Sequence, residues 1–85
     1  MAIIEIYTTS TCGYCHAAKR LLSSKNVGFM EVNIGAEPAR RAEMMQRANG
    51  GRTVPQIFIG GKHIGGYDDM ALLERRGKLD ALLAG

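Results

Sequence analysis

The order of strand and helix patterns in the first half of the chain restricts it to an α/β fold. Residues 3–7 form an apolar stretch rich in β-branched side chains, which is typical of a buried strand. From residue 13 to residue 24, apolar side chains recur at three- and four-residue spacing, which predicts an amphipathic helix. A second strand is predicted over residues 29–34. Because a strand, a helix and a strand follow one another, we expect the two strands to lie parallel in a right-handed unit.

The second half of the chain continues this alternation. Pro38 suits the first position of a helix, Gly60-Gly61 favours a tight hairpin, and Asp68-Asp69 have the chemistry of a helix N-cap. The order β-α-β-α-β-β-α is therefore predicted for one domain spanning residues 1–85. The predicted elements are a helix over residues 38–48, strands over 56–59 and 62–64, a helix over 70–75 and a last segment over 79–83.

Composition and charge exclude several classes of function. Among 85 residues, 46% are hydrophobic and 22% are charged, as in ordinary globular proteins. The net charge of +3 is spread along the chain without interleaved aromatic residues, so we expect no nucleic-acid surface. No apolar run approaches the roughly 20 residues that span a bilayer, and the first residues carry no basic or cleavage-type segment. We therefore expect no membrane partner and a cytoplasmic location.

Cys12 and Cys15 are the only cysteines, and they lie where the first predicted strand gives way to the first helix. In the cytoplasm such a pair is expected to be catalytic or metal-binding, since a disulfide across so short a loop would add little stability. The sequence Cys12-Gly13-Tyr14-Cys15-His16 also satisfies the pattern of covalent haem attachment, but that chemistry requires export. A zinc site including His63 would need an unusual ligand spacing. Redox chemistry is the favoured interpretation.

The two thiols are expected to differ in reactivity. Cys12 lies at the N-terminal end of the predicted helix, where backbone N–H groups without intrahelical partners and the helix dipole stabilise an anion. Cys15 lies one turn further in and lacks this environment. A stabilised thiolate is a weaker nucleophile but a better leaving group, so we expect Cys12 to accept a thiol group and release it rapidly.

Two other segments each have a structural and a functional interpretation. Pro55 precedes a predicted strand, where it either starts an edge strand or forms a cis peptide with Val54 that turns the Val54 backbone toward an extended substrate. Gly65-Gly66 and Asp68-Asp69 form either a turn with a helix cap or a site where backbone N–H groups approach a carboxylate. In the second case, either aspartate could also bind an ammonium group.

Taken together, these segments resemble the glutaredoxin family, and the resemblance covers essentially the whole chain. It implies a thioredoxin-like fold with a four-stranded mixed sheet flanked by helices. It also implies a glutathione-dependent oxidoreductase that reduces glutathione mixed disulfides and the disulfides of proteins or small molecules. The matching segments are Ile6-Tyr7-Thr8, Cys12-Gly13-Tyr14-Cys15, Thr53-Val54-Pro55-Gln56-Ile57-Phe58-Ile59 and Ile64-Gly65-Gly66-Tyr67-Asp68-Asp69.

The resemblance also implies roles for individual residues. Cys12 is similar to the nucleophile that carries the glutathionyl group, and Cys15 is similar to the resolving thiol. Arg52 is either a partner for the glycyl carboxylate of glutathione or a surface charge, and Tyr67 is expected to contribute chiefly its backbone. The implied glutathione-binding residues are Tyr14, Arg52, Thr53, Val54, Pro55, Gly66, Tyr67, Asp68 and Asp69.

The chain departs from the family pattern at Gly13, where many members have proline, and at Thr9, where many have lysine. Without the lysine, one contact to the glycyl carboxylate and one source of thiolate stabilisation are absent. A small residue at position 13 resembles the members that carry a [2Fe-2S] cluster between two protomers, with Cys12 and glutathione as ligands. That alternative predicts a bridged dimer, whereas the oxidoreductase is expected to be a monomer.

Overall fold

A computed structural model describes residues 2–85 and shows four strands and four helices in the order β-α-β-α-β-β-α-α. Within this part of the chain, no helix combines the length and the apolar character needed to cross a membrane. A single 3₁₀ turn, Pro38–Arg40, leads directly into the second helix. The strands are β1 (Ile4–Thr8), β2 (Met30–Asn33), β3 (Gln56–Ile59) and β4 (Lys62–Gly65), and the helices are α1 (Gly13–Ser24), α2 (Arg41–Arg47), α3 (Tyr67–Arg75) and α4 (Leu79–Ala84).

The strands form one mixed sheet in the order β2-β1-β3-β4. β1 and β2 are parallel, as the strand-helix-strand pattern predicted, whereas β3 is antiparallel to both β1 and β4. Ile6 on β1 pairs with Ile57 on β3 at the centre of the sheet, and both side chains are fully buried. The predicted four-stranded mixed sheet and thioredoxin-like architecture are confirmed.

Helices cover both faces of the sheet, so that each face has its own apolar core. On one face, Ile4 and Ile6 pack with α1, α3 and α4 through Leu22, Met70 and Leu79. The core on the other face, which lies beneath α2, consists of Tyr7, Val32, Ile34, Met44, Ala48 and Phe58. Because successive residues of a strand point to opposite faces, the alternation along β1 supplies both cores.

Several element boundaries differ from the sequence-based expectation. The predicted helix over residues 38–48 begins as the 3₁₀ turn, and its end is marked by Asn49 in the left-handed conformation (φ 55°). Ile3 lies outside β1 and is exposed, so the first strand extends from Ile4 to Thr8 instead. The predicted last segment is a separate helix, Leu79–Ala84, whose Leu79 and Leu83 are buried.

Candidate active site

The N-terminus of α1 holds Cys12 in a distinct electrostatic environment. Cys12 is the N-cap of this helix (φ −88°, ψ 112°), and its Sγ accepts a hydrogen bond from the backbone N–H of Cys15 over 3.1 Å. A hydrogen bond from a backbone N–H and the positive end of the helix dipole both favour the anionic form of the sulfur. The predicted placement of Cys12 at a helix tip, partly accessible to solvent, is therefore observed.

Cys15 occupies a contrasting environment inside the protein. Its side chain is fully buried on the inner face of α1. Burial, together with its interaction with Cys12, raises the pKa of the Cys15 thiol to about 12. Cys15 is therefore a protonated thiol at neutral pH, while Cys12 is the accessible sulfur of the pair.

The segment before β3 approaches Cys12 from the other side. The peptide bond between Val54 and Pro55 is cis, in agreement with the functional interpretation of this segment. The Val54 carbonyl oxygen lies 3.6 Å from Cys12 Sγ, which donates to it when protonated. The alternative, an edge-strand start at Pro55, is wrong because β3 lies between β1 and β4 in the sheet.

An open groove with a volume of about 450 Å³ lies beside the N-terminus of α1 and the segment before β3. Its walls come from the N-terminus of α1, the segment before β3, the end of β4 and the start of α3. Of the residues predicted to bind glutathione, all but Arg52 line the groove, namely Tyr14, Thr53, Val54, Pro55, Gly66, Tyr67, Asp68 and Asp69. Gly65, which the sequence singled out together with Gly66, also lines the groove, whereas two further lining residues, Gln56 and His63, were not predicted.

Two aromatic rings form one wall of the groove. Tyr14 lies between Cys12 and Cys15 in the first turn of α1. Its side chain is 65% exposed, so it does not belong to the buried face of this helix. Its ring stacks on that of Tyr67, with centroids 6.2 Å apart and an interplanar angle of 27°. Tyr67 therefore contributes its ring as well as its backbone, which the sequence-based expectation left out.

The start of α3, including Tyr67, also lines the groove. The N-cap is Gly66, not Asp68 or Asp69 as expected, and the carboxylate of Asp69 accepts a hydrogen bond from the Gly66 N–H over 2.9 Å. Gly65 has a φ of 118°, and a Cβ atom there would lie only 2.3 Å from Asp69 Oδ2. Asp69 thus holds the helix start in place, whereas Asp68 is exposed in the groove.

Arg52 lies outside the groove. Its backbone carbonyl accepts a hydrogen bond from the Arg41 side chain over 2.9 Å, and its own side chain is exposed. A role for Arg52 in binding a carboxylate therefore stays a prediction, which would require its side chain to reach along the surface from the position next to Thr53.

The two histidines are engaged elsewhere. His16 Nε2 lies 3.0 Å from the Ser10 carbonyl oxygen, and His63 Nε2 lies 2.7 Å from Gln56 Oε1. Across residues 2–85, no three or more His, Cys, Asp or Glu side chains are arranged to hold a metal ion. A zinc site built from Cys12, Cys15 and both histidines therefore has no support in the structure.

Fold and site together define a dithiol oxidoreductase with a thioredoxin-like architecture. Comparison with known proteins gives the family, because a family model described as Glutaredoxin matches residues 4–64. Glutaredoxin 3 of Escherichia coli K12 is 58% identical over 83 residues, covering 98% of this chain and 99% of that protein. The chain belongs to the glutaredoxin family, whose members are thiol-disulfide oxidoreductases.

Solved structures agree with this assignment. A buckwheat glutaredoxin crystallised in complex with glutathione is 35% identical and has a TM-score of 0.89, with 98% of this chain and 77% of that chain covered. The solution structure of a glutaredoxin from Brucella melitensis is 51% identical, with a TM-score of 0.83 and coverages of 98% and 89%. Both solved structures therefore share the fold of this chain over 98% of its length.

Proposed function

We propose that this protein reduces glutathione mixed disulfides, and the disulfides of proteins and small molecules, with Cys12 as nucleophile and glutathione as co-substrate. One observation carries the proposal. At the N-terminus of α1, the Cys12 sulfur accepts a hydrogen bond from the Cys15 N–H. The same sulfur lies 3.6 Å from the Val54 carbonyl oxygen, next to the groove lined by Thr53, Val54 and Pro55. A reactive sulfur thus adjoins a peptide-sized groove.

In the monothiol reaction, the Cys12 thiolate attacks the glutathione sulfur of a mixed disulfide. A bond forms between Cys12 Sγ and that sulfur, the original disulfide bond breaks, and the substrate leaves as a thiolate that takes up a proton. A second glutathione thiolate then attacks the glutathione sulfur on Cys12, which releases oxidised glutathione and returns Cys12 to its thiolate form. The helix N-terminus favours this last step because it stabilises the departing Cys12 anion.

In the dithiol reaction, Cys15 replaces the second glutathione. After Cys12 has formed a mixed disulfide with a protein substrate, the Cys15 thiol loses its proton and attacks Cys12 Sγ. The bond between Cys12 Sγ and the substrate sulfur breaks, and this sulfur leaves as a thiolate that takes up a proton, as the substrate's other sulfur did when Cys12 attacked the disulfide. The Cys12–Cys15 disulfide that remains is reduced by two glutathione molecules, which are released as oxidised glutathione. Because burial raises the pKa of Cys15 to about 12, this step requires a local opening or a base that removes the proton.

The groove supplies the features that an extended tripeptide needs. Backbone groups of Thr53 and Val54 are proposed to pair with the cysteinyl part of glutathione, as in strand addition. The start of α3, with Gly66 and the exposed Asp68, is proposed to receive the γ-glutamyl end, which carries both a carboxylate and an ammonium group. The buckwheat relative, whose structure contains glutathione, supports this assignment of the ligand.

The proposed partners are glutathione and glutathionylated or disulfide-containing proteins. We propose that the protein acts on them as a monomer in the cytoplasm. The decisive experiment measures reduction of a glutathionylated peptide by the purified protein in the presence of glutathione, NADPH and glutathione reductase. We expect turnover that depends on Cys12 and is lost in Cys12→Ser. Turnover by Cys12→Ser at the wild-type rate, or no turnover by the folded wild type, would refute the proposed function.

Cluster binding is the alternative that Gly13 suggested. One described chain offers a single accessible thiol, Cys12, because Cys15 is fully buried. The four thiolate ligands of a cluster would therefore be Cys12, the Cys12 of a second protomer and two glutathione molecules. The family to which the chain belongs supports the oxidoreductase as the first proposal. Reconstitution with iron, sulfide and glutathione under anaerobic conditions tests the alternative, since a coloured dimer would support a cluster and a colourless monomer would exclude it.

A further inference from the structure

The segment Thr53-Val54, which lines the groove next to Cys12, is hydrogen-bonded to the buried side-chain amide of Gln56, which lines the groove as well. Gln56, the first residue of β3, is only 5% exposed and is, with Thr8, one of the buried polar residues of the described chain. Its Nε2 donates a hydrogen bond to the Thr53 carbonyl oxygen over 3.0 Å and lies 3.5 Å from Thr53 Oγ1. A buried amide in this position ties the start of β3 to the segment that precedes it.

The orientation of this amide determines the state of His63. The Thr53 carbonyl oxygen can only accept a hydrogen bond, so the nitrogen of the Gln56 amide must face it. The amide oxygen therefore faces His63 Nε2 at 2.7 Å, and this nitrogen must carry a proton because the amide oxygen is itself only an acceptor. The Thr53 carbonyl thus fixes the orientation of the Gln56 amide, and the amide in turn fixes His63 on β4 as the Nε2–H tautomer.

The surroundings leave this arrangement little freedom. The His63 ring packs against the Phe58 ring, with centroids 5.1 Å apart, and the Arg47 guanidinium lies 4.2 Å from the centroid of Phe58. On the other side, a Cβ atom at Gly51 would lie 2.9 Å from Gln56 Nε2. The absence of a side chain at Gly51 therefore leaves the space that the Gln56 amide fills. In this position the amide forms its hydrogen bonds to the Thr53 carbonyl and to His63.

We propose that Gln56 and His63 are positioning residues that hold Thr53-Val54 in the geometry in which its backbone receives the peptide part of the substrate. This inference rests on the proposed function. Neither residue contacts Cys12, so neither acts on the sulfur directly. The line of contacts runs from His63 through Gln56 to Thr53, and Val54 then contacts Cys12 Sγ.

The test compares Gln56→Leu with His63→Phe, which keeps a ring against Phe58 but removes the donor. For a glutathionylated peptide, we expect Gln56→Leu to raise KM about tenfold and to change kcat less than about twofold, because uniform binding of the substrate is lost. We expect a rise of about threefold for His63→Phe, because the amide keeps its bond to Thr53 but loses its fixed orientation. Gln46→Leu, on the exposed surface of α2, is the matched control and should leave KM unchanged.

Two further measurements separate positioning from damage to the fold or to the proposed chemistry. The alkylation rate of Cys12 with iodoacetamide should stay within about twofold of wild type in every variant, because this reagent does not use the groove. The ¹⁵N chemical shifts of His63 should report the Nε2–H tautomer in wild type and a mixture of tautomers in Gln56→Leu. Gly51→Ala, whose Cβ would lie 2.9 Å from Gln56 Nε2 and 3.2 Å from the Ala48 carbonyl oxygen, removes no hydrogen-bonding group and should raise KM in the same way, with the melting temperature as the check on the end of α2.

The inference is overturned if KM is unchanged in Gln56→Leu. It is equally overturned if kcat and the Cys12 alkylation rate of this variant both fall by more than about twofold. It is also overturned if His63 shows the Nδ1–H tautomer in wild type. The NMR measurement does not depend on turnover, so a protein that carries the tautomer but lacks disulfide reductase activity would refute the proposed function and leave the bracing of Thr53 intact. A Gln56→Leu protein that fails to fold is replaced by His63→Phe and Gly51→Ala, which decide the question.

Discussion

The backbone N–H of Cys15 donates to Cys12 Sγ over 3.1 Å, so the residue expected to resolve the mixed disulfide also stabilises the thiolate that forms it. These two contributions use different atoms. The stabilisation comes from the Cys15 main chain, whereas resolution needs the Cys15 sulfur. Replacing the side chain therefore separates them.

We expect Cys15→Ser to keep removal of glutathione from a peptide within about threefold of wild type, since the backbone hydrogen bond and the accessible Cys12 both remain. Reduction of a protein disulfide should fall at least about tenfold, because no internal thiol can release the substrate. Steady-state rates on the two substrates give the comparison. An equal loss on both, in a variant with the wild-type melting temperature, would contradict this division of roles.

The buried thiol of Cys15 also predicts how stability depends on pH. Its pKa is raised by burial to about 12, whereas in the unfolded chain a thiol titrates near about 8.5. Between these values the unfolded state loses a proton that the folded state keeps, so rising pH favours unfolding. The contribution is fully present below about pH 8.5 and is lost as the pH rises toward 12, at up to about 1.4 kcal/mol per pH unit.

Denaturant unfolding of wild type and Cys15→Ala between pH 7 and pH 11 checks this prediction. The free energy of unfolding of the wild type should exceed that of the variant at pH 7, and the difference should shrink above about pH 9. Burial also raises the pKa of Tyr7, but that group titrates in both proteins and cancels from the difference. A difference that is constant across the range would show that Cys15 titrates normally in the folded protein.

The parts of the fold that depend on local pattern could be predicted from the sequence. Apolar spacing gave the bounds of α1, and the position of Cys12 at its tip followed from the chain order of strand, turn and helix. The groove also followed in large part, because the motif around Val54 and the glycines before α3 carry recognisable turn and cap chemistry.

The features that depend on contacts between distant segments could not be predicted. The Gln56–His63 bond requires the pairing of β3 with β4, which includes a register shift between Ile57 and Phe58 that no local pattern indicates. The start of α3 was misplaced for a related reason. Asp69 looks like an N-cap in sequence, but its carboxylate reaches back to the Gly66 N–H, which moves the cap toward the N-terminus.

The departure at Gly13 leads to a prediction about stability. Gly13 is the first residue of α1, has no atom within 4 Å of the position that a Cβ would occupy, and follows Cys12 in an extended conformation. Proline is favoured at this helix position and tolerates an extended residue before it. Gly13→Pro should therefore raise the free energy of unfolding by about 0.4–1 kcal/mol, because the unfolded chain loses conformational freedom.

Thermal and denaturant unfolding measure this gain. Gly77→Pro is the matched control, since Gly77 has a φ of 69° and its N–H donates to the Glu74 carbonyl, both of which proline forbids. The two substitutions should change stability in opposite directions. Destabilisation by Gly13→Pro would mean that the first turn of α1 needs the freedom of glycine.

Arg47 joins the sheet to α2, and its removal should destabilise the protein. Its guanidinium donates to both carboxylate oxygens of Glu5, at 2.9 and 3.1 Å, and to the Tyr7 hydroxyl over 3.0 Å, while it lies over the Phe58 ring. The hydrogen bonds to Glu5 and Tyr7 raise the pKa of Arg47 and so favour its charged form.

Arg47→Met keeps much of the side-chain volume but leaves the carboxylate of Glu5 partly buried without its partner. We expect the free energy of unfolding to fall by about 2 kcal/mol, because hydrogen bonds to a charged group are lost. Arg20→Met, on the exposed surface of α1, should change it by less than about 0.5 kcal/mol. In urea unfolding, the double variant Glu5→Gln/Arg47→Met should recover part of the lost free energy of unfolding, because it no longer buries an unpaired charge. Equal stability of Arg47→Met and the double variant would show that the unpaired Glu5 charge has no cost at this site.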